Sequence, residues 1–323
     1  MINLLVYRDT KFISPAPPVE TLAALRTEPG VMLWVDLANP TEQEIKFVLE
    51  EVFAFHPLAI EDCVADSPLP KLEDYEDYLY LVMHAVDYSH TTHFTTTELD
   101  LFLGKNFLVT FHRQPLKPVD AALDRFRRDP AKLVRGPDRF LHVILDLIVE
   151  AYQPALDHLR KSVEHMEESA LRDVPAAELF PQVIALRKDL SGLRQIVRPQ
   201  RELATELAEG KKRFIRALIV PYLRDLSGEL LRIETQGSAW SEQVVLSFRI
   251  YLNKSGYDAN QGIRVLTGIT ALTLPAVLVG GWYGMNFENM HELPAPLGYL
   301  TATALTIAGT LGMLVFMRQK KWL

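Results

Sequence analysis

The 323-residue sequence predicts an α/β domain that gives way to long helices and ends in a membrane hairpin. Three observations carry that fold class. Strand and helix signals mix over roughly the first 125 residues, amphipathic helical periodicity dominates afterwards, and two uncharged runs close the chain. Those runs, 265–287 and 293–317, hold 23 and 25 residues without a single Asp, Glu, Lys or Arg. A bilayer core needs ~20 residues of helix, so each is long enough to cross.

Residues 1–137 make up the α/β part. The segment 31–37, VMLWVDL, reads as a buried strand, and Thr41 with Glu44 supplies a capping box that opens a helix reaching Phe53. Segments 78–86, 99–103 and 107–111 read as strands, the last two joined in a hairpin at Gly104, Lys105 and Asn106. From 138 to 220 the pattern is a helical hairpin, with helices over 140–170 and 176–209 around a turn at 171–175. A third helix opens at Pro221 and meets no further proline until Pro275. Unbroken to Tyr283 it spans 63 residues, about 95 Å at ~1.5 Å per residue. Leu223, Leu226, Leu230, Ile233, Gly237, Trp240 and Val244 alternate steps of three and four along it, the seam of a helical bundle. The stalk, 221–264, thus continues into the first span, 265–287. A loop at 288–296, a second span at 297–317 and a basic tail at 318–323 follow.

Composition excludes several classes. The net charge is -7 and basic residues are scattered, which argues against a nucleic-acid partner. Cys63 is the only cysteine, so neither an intrachain disulfide nor a CxxC site is available. Walker A, GxSxG and HExxH motifs are absent, and the chain reads as no enzyme. His84, His90 and His93 fall within one ten-residue stretch, but its Thr-rich spacing suits metal binding poorly. Arg264 precedes the first span and Arg318, Lys320 and Lys321 follow the second, whereas the loop carries only Glu288 and Glu292. Basic flanks stay inside, so both termini are expected in the cytoplasm.

One hairpin cannot enclose a water-filled path, and a channel requires several copies around an axis. Asn260, Ile263, Thr267, Thr270, Leu274, Val277 and Gly281 lie on one helical face and mix polar with aliphatic groups, as a pore would. A helix-packing face has the same composition, and spacing alone does not separate the two.

Gly284, Met285 and Asn286 close the first span within YGMNF. That segment, with VPYLRD at 220–225, HPLAIED at 56–62 and PKLE at 70–73, resembles the CorA family of divalent-cation transport proteins over most of the chain. The resemblance implies a homopentameric funnel whose five first spans line the pore. It makes Gly284, Met285 and Asn286 the selectivity filter, where amide oxygens hold a hydrated cation, and Glu288 and Glu292 the charges that gather cations outside. It also matches Asn260, Ile263 and Leu274 to polar and apolar constrictions, and Asp225 to a ligand of a regulatory metal that holds the pore shut; the match for its partner falls at Ser89, and Asp87, two residues before it on the same strand face, is the candidate carboxylate. No cofactor is implied beyond the divalent cations: magnesium first, with cobalt, nickel or zinc as alternatives. Two residues depart from the pattern. Arg249, near Glu242 on the inward extension of the stripe, stands where magnesium-transporting relatives carry an aspartate, and Val277 stands where a threonine is frequent. The ZntB-like zinc branch, associated with proton coupling, is therefore the alternative, although the Met290–Leu293 loop sequence MHEL favours the magnesium branch. A membrane-anchored sensor or interaction domain is the remaining rival.

Overall fold

Seven strands form one mixed sheet in the order β2-β1-β3-β7-β6-β5-β4 among the described residues of the computed structural model. These residues are 1–9, 11–13, 16–65, 67, 69–86, 94–128, 136–172, 174–285 and 297–320. The strands are β1 (Ile2–Arg8), β2 (Lys11–Phe12), β3 (Val31–Ala38), β4 (Lys71–Asp74), β5 (Tyr78–Val86), β6 (Thr96–Gly104) and β7 (Phe107–His112). Only β3 and β7 pair in parallel, with Val35 opposite Val109; the other neighbours are antiparallel. All nine residues of β5 are buried, because helices cover both faces of the sheet.

On one face lie α1 (Leu22–Thr27), α2 (Glu42–Ile45) with the π-helical turn Lys46–Val52 that continues it, and α3 (Pro57–Ala65). Their apolar side chains join Val35, Tyr80, Phe102, Val109 and Phe111 in one core. The expected capping box is present: Thr41 Oγ1 accepts from the Glu44 N–H, and the Glu44 carboxylate accepts from the Thr41 N–H at 2.8 Å. The other face is covered by α4 (Lys117–Arg128) and α5 (Pro137–Glu150), where Phe140 meets Tyr7, Trp34 and Phe126 with ring centroids 4.8–5.9 Å apart.

The helix expected over 140–170 is two helices. It breaks at Ala151 and Tyr152, and α6 (Gln153–Leu171) starts with Pro154 in its first turn. Proline lacks the N–H that would bond the Glu150 carbonyl, so the break falls where its chemistry requires. The break also buries Tyr152, whose hydroxyl lies 3.3 Å from both the His84 carbonyl and the Gln200 amide oxygen. At the β6–β7 hairpin, Gly104 belongs to the strand and the turn is Lys105–Asn106 alone; a Cβ at Gly104 would sit 2.2 Å from the Phe107 ring.

Helix α7 (Ala176–Ala208) returns along α6, and α8 (Val220–Tyr283) follows. The seam read from the sequence is the buried side of its first half: Leu223, Leu226, Leu230, Ile233, Trp240 and Val244 are all buried. A Cβ at Gly237 would lie 3.0 Å from Leu193 of α7, so glycine lets the two helices approach there. Arg201 of α7 donates from Nε to Glu234 of α8 at 2.6 Å beside that seam. The chain divides into two units, Met1–Ser247 and Phe248–Leu323. The second contains the outer part of α8 and α9 (Gly298–Gln319).

Candidate ion pathway and regulatory residues

Both apolar segments are helical and, by length and composition, long enough to cross a membrane. Only 6% of the most apolar stretch of either is buried, which separates them from the core helices of a soluble protein. Val265, Leu266, Ile269 and Leu278 on α8, and Leu300 and Leu311 on α9, are all more than half exposed. So much apolar surface calls for lipid or for other helices.

The two helices touch through small residues. A Cβ built on Gly309 of α9 would meet Pro275 of α8 at 2.9 Å, and one on Gly268 would meet the Met317 methyl at 3.2 Å. Residue number rises along α8 as it falls along α9 between these contacts, so the pair is antiparallel. Half-buried Ala271, Leu272 and Val279 continue the α9-facing side. At ~100° per residue, the expected pore stripe is centred about 120° from that side. All seven of its members, Asn260, Ile263, Thr267, Thr270, Leu274, Val277 and Gly281, are exposed and free of α9. Thr270 returns its hydroxyl to the Leu266 carbonyl at 2.9 Å, which leaves the oxygen lone pairs available along the helix face.

Gly284 ends α8 by donating its N–H to the Gly280 carbonyl at 2.9 Å, and a Cβ there would lie 2.8 Å from that oxygen. Met285 follows, exposed, with its N–H directed to Trp282 O at 3.3 Å. Asn286, Glu288 and Glu292, like Asp87, lie outside the described residues. Arg249 is exposed and at ~100° per residue falls on the stripe's helical line; Glu242, in the first unit, is exposed as well.

Asp225 is exposed in the first turns of α8. Near it, α5 carries Arg139, His142 and Asp146 at i, i+3 and i+7, a local spacing that is visible in the sequence. Tyr222 holds this junction: the His142 ring meets it edge-on at 5.3 Å and the Arg139 guanidinium lies 4.9 Å over it. Burial pushes the His142 imidazole below its usual range, with Asp146 and Asp225 opposing and Arg139 adding to the shift. Among the described residues, no three His, Cys, Asp or Glu side chains gather as a metal ion requires. His84 is a sheet residue, with Nε2 3.1 Å from the Ser67 carbonyl and Nδ1 3.3 Å from Thr96 Oγ1. His90 and His93 lie outside the described residues.

A family model described as CorA-like Mg2+ transporter protein matches residues 29–321. The chain belongs to the CorA family. The Bacillus subtilis protein YfjQ is 29% identical over 289 residues, 90% of this chain and 89% of that one. The cobalt/magnesium transport protein CorA of Thermotoga maritima is 27% identical over 292 residues, 90% and 83% of the two chains. The complete structure of the CorA magnesium transporter from Methanocaldococcus jannaschii aligns over 99% of this chain and 98% of that one, with a TM-score of 0.79 at 19% identity. The α/β domain, the long helix and the two apolar C-terminal helices are thus the architecture of CorA proteins. Membership makes the chain a membrane-located divalent-metal transporter and not an enzyme.

Proposed function

We propose that the chain is one subunit of a homopentameric channel for magnesium, open also to cobalt and nickel, in the bacterial inner membrane with both termini in the cytoplasm. The observation that carries this reading is the exposed stripe from Asn260 to Gly281, which α9 leaves uncovered. Five copies around an axis bring five such stripes together and turn the α9 side outward to lipid. Magnesium sheds its water reluctantly, so a ring of neutral Asn286 amides that bonds to coordinated waters suits it better than a carboxylate cage. Ile263 and Leu274 then close the path by excluding water. Asp225, exposed and without two further ligands among the described residues of its own chain, suits an internal cation shared between neighbouring subunits. Binding there favours the closed state, and loss of the cation releases it.

Arg249 motivates the zinc-transporting alternative because it departs from the aspartate that the resemblance places there in magnesium-transporting relatives; its charge alone repels either divalent cation equally. The test is uptake of magnesium, cobalt, nickel and zinc into vesicles holding the purified protein, with and without a pH gradient. Magnesium uptake that disappears in Asn286→Ala is expected. Zinc uptake driven by protons, with no magnesium uptake, would replace the first reading by the second; no uptake of any cation would leave an anchored sensor.

A further inference from the structure

We propose that Gly309, on α9, positions the pore-lining helix at Pro275 and so sets the width of the Leu274 constriction. The inference rests on the pore reading above. Pro275 lacks an N–H, so the Ala271 carbonyl has no partner one turn on and α8 is free to bend there. Leu274 is the stripe residue beside this point, with Thr267 and Thr270 on its inner side and Val277 and Gly281 on its outer side. A bend at Pro275 therefore moves the two halves of the stripe relative to each other, with Leu274 at the pivot.

At the pivot α9 approaches α8 closely. A Cβ at Gly309 would stand 2.9 Å from Pro275 Cβ and 3.5 Å from Cγ. The proline ring is fixed to its backbone and cannot turn aside, so any larger residue must push α8 away from α9. Because the stripe lies about 120° round the helix from the contact, that push drives Leu274 towards the axis. The other hairpin glycines supply contrasts. Gly312 has nothing within 4 Å of a built Cβ, and the Cβ of Gly268 meets only the flexible end of Met317 at 3.2 Å. Gly309 faces α9's neighbour and not the ion, so it is a positioning residue.

The test is magnesium influx into vesicles carrying the full-length protein, followed with a fluorescent indicator over a range of external magnesium. Gly309→Ala should lower maximal flux about fivefold or more, the factor that ~1 kcal/mol of overpacking represents. Half-saturation, set at the outer entrance, should stay within about twofold. Gly312→Ala should match the parent in both. Pro275→Gly removes the ring that Gly309→Ala strikes, so the double substitution should conduct like Pro275→Gly alone. Parental flux in Gly309→Ala, or a fall in flux or assembly that Pro275→Gly does not repair, would overturn the inference. A parent protein that conducts no cation fails the pore reading instead, so the two failures are distinguishable.

Discussion

Arg216→Ala asks whether one arginine carries the buried Asp138 carboxylate that joins α5 to the segment leading into the long helix. Asp138 is 1% exposed. It accepts the Arg216 backbone N–H at 3.1 Å, Nε at 3.0 and 2.9 Å on its two oxygens, and Nη2 as well. Alanine keeps the backbone bond and removes the counter-charge. Breaking a fully buried pair costs ~3–5 kcal/mol. The Arg216 side chain is 43% exposed, so water takes over part of its role and ~2–3 kcal/mol is expected. For a unit the size of Met1–Ser247, 1 kcal/mol moves Tm by about 2–4 °C, and the predicted loss is ~4–12 °C. The assay is thermal unfolding of the detergent-solubilised chain by tryptophan fluorescence, to which fully buried Trp34 reports. Gly136→Ala attacks the same pair from the other side, since a Cβ there would sit 2.4 Å from Arg216 Cζ. Gly136 holds φ +156°, a strain that alanine carries with or without Arg216, so the two substitutions together should cost less than the sum of the single costs but more than Arg216→Ala alone. A Tm for Arg216→Ala within about 1 °C of the parent, or strict additivity with Gly136→Ala, would refute the reasoning.

Two further predictions concern charge. Burial lowers the pKa of the His112 imidazole, but Asp36, whose Oδ1 lies 3.2 Å from Nε2, more than offsets it, with Gln114 O and Asp120 helping. The folded pKa is thus raised, so the stabilisation is full below the unfolded value of ~6.5 and is lost as pH rises through the folded one. Denaturant midpoints should therefore show His112→Gln costing more at pH 6 than at pH 9; equal costs would mean the pair has no net linkage to protons. Arg249→Asp should raise magnesium flux and weaken its dependence on salt, because in the proposed pentamer five positive charges along the path become five negative ones. Unchanged or lower flux would show that Arg249 lies off the ion path.

The parts legible in the sequence were those written in periodicity. The seam from Leu223 to Val244 is a step of three and four repeated without interruption, and burial follows it residue by residue. The capping box at Thr41 and Glu44 needs only local spacing, and it formed. What stayed hidden depends on partners far along the chain. Nothing around Asp138 announces Arg216, and nothing around Gly309 announces Pro275, because each pairing exists only once the helices are packed. Strands β1 and β4 escaped notice for a related reason. β4 is a four-residue edge strand, too short for a pattern, and β1, though seven residues long, has only the two-residue β2 on its outer side. Pro154 was a local signal overlooked beneath strong amphipathic spacing on either side.

The relation between the two sides of α8 limits what a single subunit can be. A helix that packs on one partner needs one apolar face, yet this one combines a glycine- and proline-marked face against α9 with a separate mixed face carrying Asn260, Thr267 and Thr270. In lipid, an amide on an uncovered face is costly, since hydrocarbon offers it no partner, and a hydroxyl such as that of Thr270 is limited to its bond within the helix. A monomer embedded alone would expose that cost with no return. Repeating the hairpin about an axis removes it, because polar groups then meet water inside while Leu305, Ile307 and Leu311 of α9 meet hydrocarbon outside. In the proposed homopentamer the same repetition gathers five copies of Arg249 and of Leu274 into rings, so a change of one side chain acts five times at one level of the path. The proposed effects of Arg249→Asp and Gly309→Ala on flux should thus be steep functions of subunit composition. Mixed assemblies of parent and variant chains should show a graded response to Arg249, whose charge sums, and a sharper one to Gly309, whose displaced neighbour Leu274 closes a shared constriction.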